Sequence, residues 1–249
     1  MSTKPYKDFE PKWIKEPAPK DSYRSIFRWG DPEFVKYPKE SLYKLMKDKF
    51  IMTDDDFRQY PVDIGWETVE LTQKSSMDEK HLRFFREVVG DAYVSTADYN
   101  RLAVAYGKTA YDLLRLRERK IDSLPDVVIY PDTTEQVEKI VAYCTENDIP
   151  LYVYGGGSTV TRGVEPIKGS VSLDMRMRFN KVIRFNEVDQ TITVQAGMSG
   201  PKLEETLNNA VQNFGAKRAY TCGHFPQSFE FSSVGGWTVT RGAGQNSTY

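Results

Sequence analysis

Between Pro125 and Tyr154 the chain runs through a short β-branched segment, a helical segment and a second β-branched segment. This order constrains the fold more than any other feature of the sequence. Asp126-Val127-Val128-Ile129-Tyr130 reads as a strand ended by Pro131. Thr133 with Gln136 has the pattern of a capping box. Val137, Ile140, Val141 and Cys144 then recur on one helical face. Ile149-Pro150 closes that helix, and Leu151-Tyr152-Val153-Tyr154 is the next strand. A strand–helix–strand unit over 125–154 predicts a parallel pair with a right-handed crossover. Cys144 is on this reading a small core residue and not a reactive thiol.

Beyond this unit, Ser170-Val171-Ser172-Leu173-Asp174 alternates as a strand. Lys181 to Phe185 and Thr191 to Ala196 alternate again around Asn186-Glu187-Val188-Asp189-Gln190, which predicts a hairpin. Pro201 to Phe214 reads as one amphipathic helix with Leu203, Leu207 and Val211 inward, stopped by Gly215. Ahead of the unit, residues 39–122 are helical in pattern. Leu42, Leu45, Met46 and Phe50 mark one face. Ser76 with Glu79 suggests a capping box before Leu82, Phe85 and Val89, and Gly90 is the stop. A further helix is expected over about Lys108 to Glu118, and His81 is expected to be a surface or packing residue. Pro5, Pro11, Pro17 and Pro19 make the first twenty residues an extended arm. Its Tyr6, Phe9 and Trp13 are expected to dock on the body of the protein. The fold class is α+β: an arm and helical leader over 1–122, then a mixed domain over 123–249.

Charge and composition exclude several functions. The chain has 34 Lys+Arg against 35 Asp+Glu, a formal net charge of -1, without the basic excess of a nucleic-acid binder. No apolar run approaches the ~18 residues of a membrane span. The opening Met-Ser-Thr-Lys-Pro-Tyr lacks the apolar core of a secretory signal. Two cysteines, Cys144 and Cys222, form no disulfide framework, so a reducing cytoplasm is the expected setting. Cys222-x-His224 has no second Cys/His pair nearby, and no metal is expected.

The strongest chemical signal is Tyr154-Gly155-Gly156-Gly157-Ser158-Thr159, directly after a strand. Three glycines remove every Cβ, so backbone can touch a ligand, and successive N–H groups can converge on an anion. Ser158 and Thr159 add hydroxyl donors. The turn is not a Rossmann fingerprint, because Val160 stands where a glycine is needed, and not a Walker loop, because Val164 follows Gly163. A second segment, Gly223 to Gly244, is dense in Gly, Ser and Thr. Its Gly235-Gly236 again permits close backbone approach, while Trp237 and the phenylalanines could wall a planar ring.

Together these segments resemble the vanillyl-alcohol oxidase / p-cresol methylhydroxylase flavoproteins. The frame Gly223-His224-x-Pro226-x-Ser228-x-Glu230-Phe231-Ser232-x-Val234-Gly235-Gly236-Trp237-x-x-Thr240-Arg241 is similar to that of alkyldihydroxyacetonephosphate synthases and related bacterial FAD-binding oxidases. The resemblance covers about 25–249 and is strongest from 115 onward. It implies an FAD-binding domain of two α/β subdomains. It places the FAD diphosphate on Gly155, Gly156, Gly157, Ser158 and Thr159, and lines the cofactor with Tyr154, Gln227, Ser228, Ser233, Gly235, Gly236, Thr240 and Arg241. For Arg241 the residues leave a second reading open, a buried partner for Glu230. Relatives with covalent flavin use a His where Ser158 stands, so non-covalent FAD is implied. Gln227 and Gly242 depart from the Asp and Ala usual in the synthases. The resemblance also implies that the domain continues past Tyr249, so no catalytic residue is assigned.

Three functions follow as expectations. The first is a flavoenzyme like the ether-lipid synthases, exchanging acyl for alkyl through a flavin N5 adduct on a lipid-like substrate. The second is a flavin-dependent oxidoreductase of small 2-hydroxy acids such as lactate or glycolate. The third is a non-catalytic half-domain that needs a partner chain. A homodimer is left open.

Overall fold

The structure, a computed structural model, describes residues 18–27, 39–58, 65–242 and 244. The docking expected of Tyr6, Phe9 and Trp13 lies outside the described residues. The chain divides into two compact units, Met1–Thr68 and Val69–Tyr249, so residues 69–122 share a unit with the strands that follow. The first unit carries α1 (Tyr23–Phe27), α2 (Glu40–Phe50) and α3 (Asp54–Arg58). The apolar spacing forms α2 as expected, yet Leu42, Leu45 and Phe50 stay exposed. Periodicity fixes a helix face but not its burial.

The second unit opens with α4 (Glu79–Val89), β1 (Val94–Ser95), α5 (Asp98–Ala103) and α6 (Ala110–Arg117). The strand–helix–strand unit follows as β2 (Val127–Ile129), α7 (Thr134–Glu146) and β3 (Leu151–Tyr154), then β4 (Val171–Asp174). These strands form one sheet in the order β1-β2-β4-β3. β4 is parallel to both β2 and β3, with Val171 opposite Val127 on one side and Leu151 on the other. The expected pair β2–β3 is therefore parallel but not adjacent, because β4 inserts between them. Burial explains the choice. Val171, Ser172, Leu173 and Asp174 are all buried, as in a strand covered on both faces, so β4 does not alternate. Val153 on β3 is 64% exposed, which suits a sheet edge.

Phe85 and Val89 of α4 and Ile140 and Cys144 of α7 pack on Val127, Ile129, Val171 and Leu173. Each of these eight side chains is nearly or wholly buried. Removing ~100 Å² of apolar surface from water stabilises by about 2.5 kcal/mol, so this layer is the main driving force for the sheet. Cys144 lies in it, and burial pushes its thiol up to about 11. Val141, next in sequence to Ile140, turns toward solvent, since successive helical residues are about 100° apart. His81 is a packing residue: its Nδ1 lies 2.9 Å from the Tyr143 hydroxyl, and its ring meets that ring edge-on.

Two helix boundaries and one cap differ from the sequence reading. α4 is capped by Asp78, whose carboxylate accepts from the Lys80 amide, while Ser76 donates from its amide and hydroxyl to Asp126. Thr133 caps α7 by accepting from the Gln136 amide, but the Gln136 carboxamide oxygen accepts from Asp132 instead of closing the box. The helix expected over 201–214 is broken at Asn209 into α8 (Gly200–Asn208) and α9 (Ala210–Phe214). Leu203 and Leu207 are buried, whereas Val211, beyond the break, is exposed. The hairpin appears as β5 (Val182–Asn186) and β6 (Thr191–Val194), antiparallel, with Asn186 accepting from the Val188 and Asp189 amides in the turn. The last helix is α10 (Val234–Thr240).

Candidate cofactor site

The glycine-rich turn leaves the C-terminal end of β3, where ligands bind in open α/β sheets. Gly157 has φ +64, and a Cβ there would run into the Tyr154 hydroxyl. The amides of Gly155, Gly156, Gly157, Ser158 and Thr159 donate no hydrogen bond to another described residue. Consecutive uncommitted N–H groups at a strand end are available as donors to an anion.

The structure brings the second segment directly onto this turn. A Cβ on Gly155 would strike the Ser233 hydroxyl. One on Gly156 would strike the Phe231 carbonyl oxygen and come within 2.5 Å of Ser232 Cα. The absent side chains thus serve first to let two backbones touch. Ser233 caps α10 by accepting from the Gly236 amide at 3.3 Å. The Gly235 amide donates to Ala196, and a Cβ on Gly235 would crowd the Ala196 side chain at 2.7 Å. Gly236 differs: its nearest neighbour across space is the Ser233 hydroxyl at 3.4 Å, so one side of α10 has room.

The other expected residues are spread around this contact. Ser228 adopts φ +63, and its carbonyl accepts from the Ser232 hydroxyl. Gln227 is exposed. The Thr240 hydroxyl donates to the Gly236 carbonyl, and Arg241 ends α10 in the left-handed conformation with its side chain exposed. Exposure removes the alternative of Arg241 as a buried partner for Glu230. Trp237 does not stand free as a wall. It stacks on Phe229 with centroids 5.7 Å apart, meets His224 edge-on, and lies in a core with Met198, Leu203 and Leu207. The Cys222 thiol points to the His224 carbonyl oxygen at 3.2 Å.

Two cations flank the turn that the sequence reading passed over. The Lys108 amide donates to the Thr159 carbonyl at 2.8 Å. Burial, and then the Arg176 charge, pull the Lys108 ammonium down to about 8, with Asp112 opposing. Arg176 follows β4, donates to both carboxylate oxygens of Asp174 at 2.9 and 2.6 Å, and lies 4.7 Å from the centroid of Tyr154. Its position two residues past a parallel strand could have signalled it. Nothing local marks Lys108, which is 47 residues ahead of the turn. Donor amides, two hydroxyls and two cations together suit a phosphate-bearing anion.

Residues 125–249 match the family model described as FAD binding domain. The chain belongs to this FAD-binding family. The alkyldihydroxyacetonephosphate synthase of Dictyostelium discoideum is 35% identical over 150 residues, covering 59% of this chain and 23% of that protein. The mitochondrial D-lactate dehydrogenase [cytochrome] 1 of Saccharomyces cerevisiae is 32% identical over 93 residues, covering 36% and 16%. A solved alkyldihydroxyacetonephosphate synthase superposes with TM-score 0.68 at 27% identity, covering 86% of this chain and 39% of that one. Substrate-bound p-cresol methylhydroxylase shares the fold, with TM-score 0.52 at 20% identity over 66% of this chain and 29% of that one. The chain therefore spans well under half the length of these proteins. The α+β architecture is that of the p-cresol methylhydroxylase-type FAD-binding domain, and FAD is its cofactor. The open donors of the turn fit the cofactor's diphosphate. No helix among the described residues is long and apolar enough to cross a membrane.

Proposed function

We propose that the chain is the cofactor-holding part of a flavoenzyme of the alkyldihydroxyacetonephosphate synthase kind, working in a reducing cytoplasm on a lipid-like substrate. The observation that carries this reading is the packing of Gly155-Gly156 against Phe231, Ser232 and Ser233. It unites the two segments that the family resemblance assigns to one cofactor. The amides of Gly155 to Thr159 hold the diphosphate, and Ser158 and Thr159 add hydroxyl donors. Lys108 and Arg176 supply positive charge that the overall charge of -1 does not. Gln227, Ser228, Ser233, Gly235, Gly236, Thr240 and Arg241 border the remainder. Bound FAD supplies an electron-accepting ring, the chemistry for which the protein provides only position and electrostatics. With Ser158 in the turn and no histidine, the cofactor is held without a covalent bond.

The test is the intact protein reconstituted with FAD. Acid precipitation should release all the flavin into the supernatant. Exchange of the acyl group of an acyl-dihydroxyacetone phosphate for a fatty alcohol, with fatty acid released and no electron acceptor consumed, supports the synthase reading. A second reading, oxidation of a small 2-hydroxy acid, is favoured by the similarity to the yeast D-lactate dehydrogenase. Reduction of an acceptor by lactate or glycolate, without acyl exchange, would replace the first reading with the second.

A further inference from the structure

The glycine-rich turn continues into a long irregular stretch before β4, and such stretches need anchors to hold one conformation. The anchors come from one place, the segment around α6. At the near end, Gly107 packs on Thr159 so closely that a Cβ would lie 2.5 Å from the Thr159 carbonyl oxygen. At the far end, the Ser123 hydroxyl donates to the Pro166 carbonyl. Between them stands Arg115, whose side chain is 4% exposed. Its Nη2 donates to Glu165 at 2.7 Å and to Asp112 at 2.8 Å, and its Nη1 donates to Asp122 at 3.0 Å. The guanidinium lies 4.2 Å from the Tyr106 centroid and 4.9 Å from that of Tyr111. Arg162, in the left-handed conformation at φ +58, pairs with the same Glu165 and also faces the Tyr111 ring. Burial works against the Arg115 charge, but Glu165 and Asp112 outweigh it and hold the guanidinium protonated. Arg162 and Arg115 hold the Glu165 carboxyl below the usual range.

We propose that Arg115 and Glu165 are positioning residues for the cofactor: their ion pair latches the stretch after the glycines onto α6 and so fixes the amides of Gly155 to Thr159 in anion-binding register. This rests on the reading of that turn as the diphosphate site. Neither residue belongs to the glycine-rich motif, and fifty positions of chain separate them. The pair's geometry is specific. A lysine at 115 would keep the charge but lose the fork that reaches three carboxylates and the flat face between two tyrosines. Truncating Arg115 outright would leave the buried Asp112 without its ion-pair partner and threaten folding. Glu165, at 34% exposure, is the better site for a probe.

Glu165→Gln keeps size and removes the charge. Hydrogen exchange of the cofactor-free protein should show the amides of Lys108 and Thr161, which donate to the Thr159 carbonyl and hydroxyl, exchanging at least about tenfold faster, the amides of Val128 and Leu173 unchanged. FAD affinity, followed by flavin fluorescence, should fall by about tenfold, the scale of one charge-assisted bond. Arg115→Lys should produce a similar loss, and the double variant should be no worse than either single one, since one latch can be lost only once. Turn exchange equal to wild type would overturn the proposal. So would faster exchange with undiminished FAD affinity, or fully additive losses. If the unsubstituted protein takes up no FAD, the cofactor reading of the turn fails and the pair's role toward FAD fails with it. The exchange experiment then still decides, separately, whether the latch exists.

Discussion

Gly156→Ala isolates the contact on which the site depends. Gly156 does not have a positive φ, so alanine brings no backbone strain of its own. Its Cβ, however, would meet the Phe231 carbonyl group and Ser232 Cα, with Ser232 Cα only 2.5 Å away. Ordinary carbon–carbon contact is about 3.5–4.0 Å, so the two segments must part by roughly 1 Å. The obstacle is backbone and cannot swing aside as a side chain would. Inserting a methyl into packed surroundings costs about 1–3 kcal/mol. For a unit of this size about 2 kcal/mol corresponds to a fall in Tm of roughly 4–8 °C. Separation also pulls the turn amides away from the second segment, and loss of one charge-assisted hydrogen bond weakens binding by about tenfold or more. Gly236→Ala is the matched comparison. It lies in α10, its nearest neighbour across space is 3.4 Å away, and replacing a helical glycine adds up to about 1 kcal/mol of stability. It should raise Tm slightly while weakening FAD, because the new methyl occupies space the cofactor needs. Both variants are read by thermal melts without cofactor and by flavin fluorescence titration. Gly156→Ala with wild-type Tm and wild-type FAD affinity would refute the claim that the two segments are in backbone contact. Gly236→Ala with unchanged FAD affinity would move the cofactor off α10.

Three further outcomes follow from the same structure. Lys108 is held at about 8 in the folded chain against 10.5 when free, so between these values the unfolded chain binds the extra proton and stability rises with pH. Lys108→Met should flatten the rise seen in urea melts between pH 8 and pH 10, and an unchanged slope would show that another group causes it. Thr109 makes a complete capping box with Asp112 at the start of α6. Thr109→Ala should cost about 0.5–2 kcal/mol in denaturant melts, while Thr109→Ser should cost little. Cys144, buried and pushed up to about 11, should be silent to a thiol reagent at pH 8 until denaturant is added. Labelling of Cys144 in the native state at the rate of a free thiol would contradict its place in the core.

The parts of this fold legible in the sequence are those written in local pattern. Val127 to Ile129, the helix that ends near Glu146, the Asn186 turn and the stop at Gly215 all lie where periodicity and turn residues put them. What stayed hidden depended on neighbours far away in the chain. The sequence places β2 and β3 in one parallel sheet, but the insertion of β4 between them follows from burial of Val171 and Leu173 on two sides. Ser76 has the spacing of a cap, yet Asp126, fifty positions on, takes its hydrogen bonds. Val141 and Val211 fit an apolar stripe and nevertheless face solvent, because a helix buries only the sector its neighbour covers.

The site divides along the same line. Glycine runs announce close backbone approach, and Gly155, Gly156 and Gly235 do lie against other atoms. Those atoms belong to the protein itself, so the glycines encode the meeting of two segments before they encode a ligand. The electrostatic half carries no motif. Lys108 and Arg115 sit in a helical leader whose pattern speaks only of leucines; Lys108, just ahead of α6, meets the turn at Thr159, and Arg115 on α6 meets the stretch beyond it at Glu165. A chain with a formal charge of -1 can bind a diphosphate in this way, by concentrating fixed amides and a few cations at one strand end instead of carrying a basic surface. On the proposed reading of the turn, the leader contributes to the cofactor site. Lys108→Met, which leaves the packing of α4 and β1 intact, should weaken FAD binding in the otherwise unchanged chain, and tight FAD retained by that variant would reduce the segment before α6 to packing.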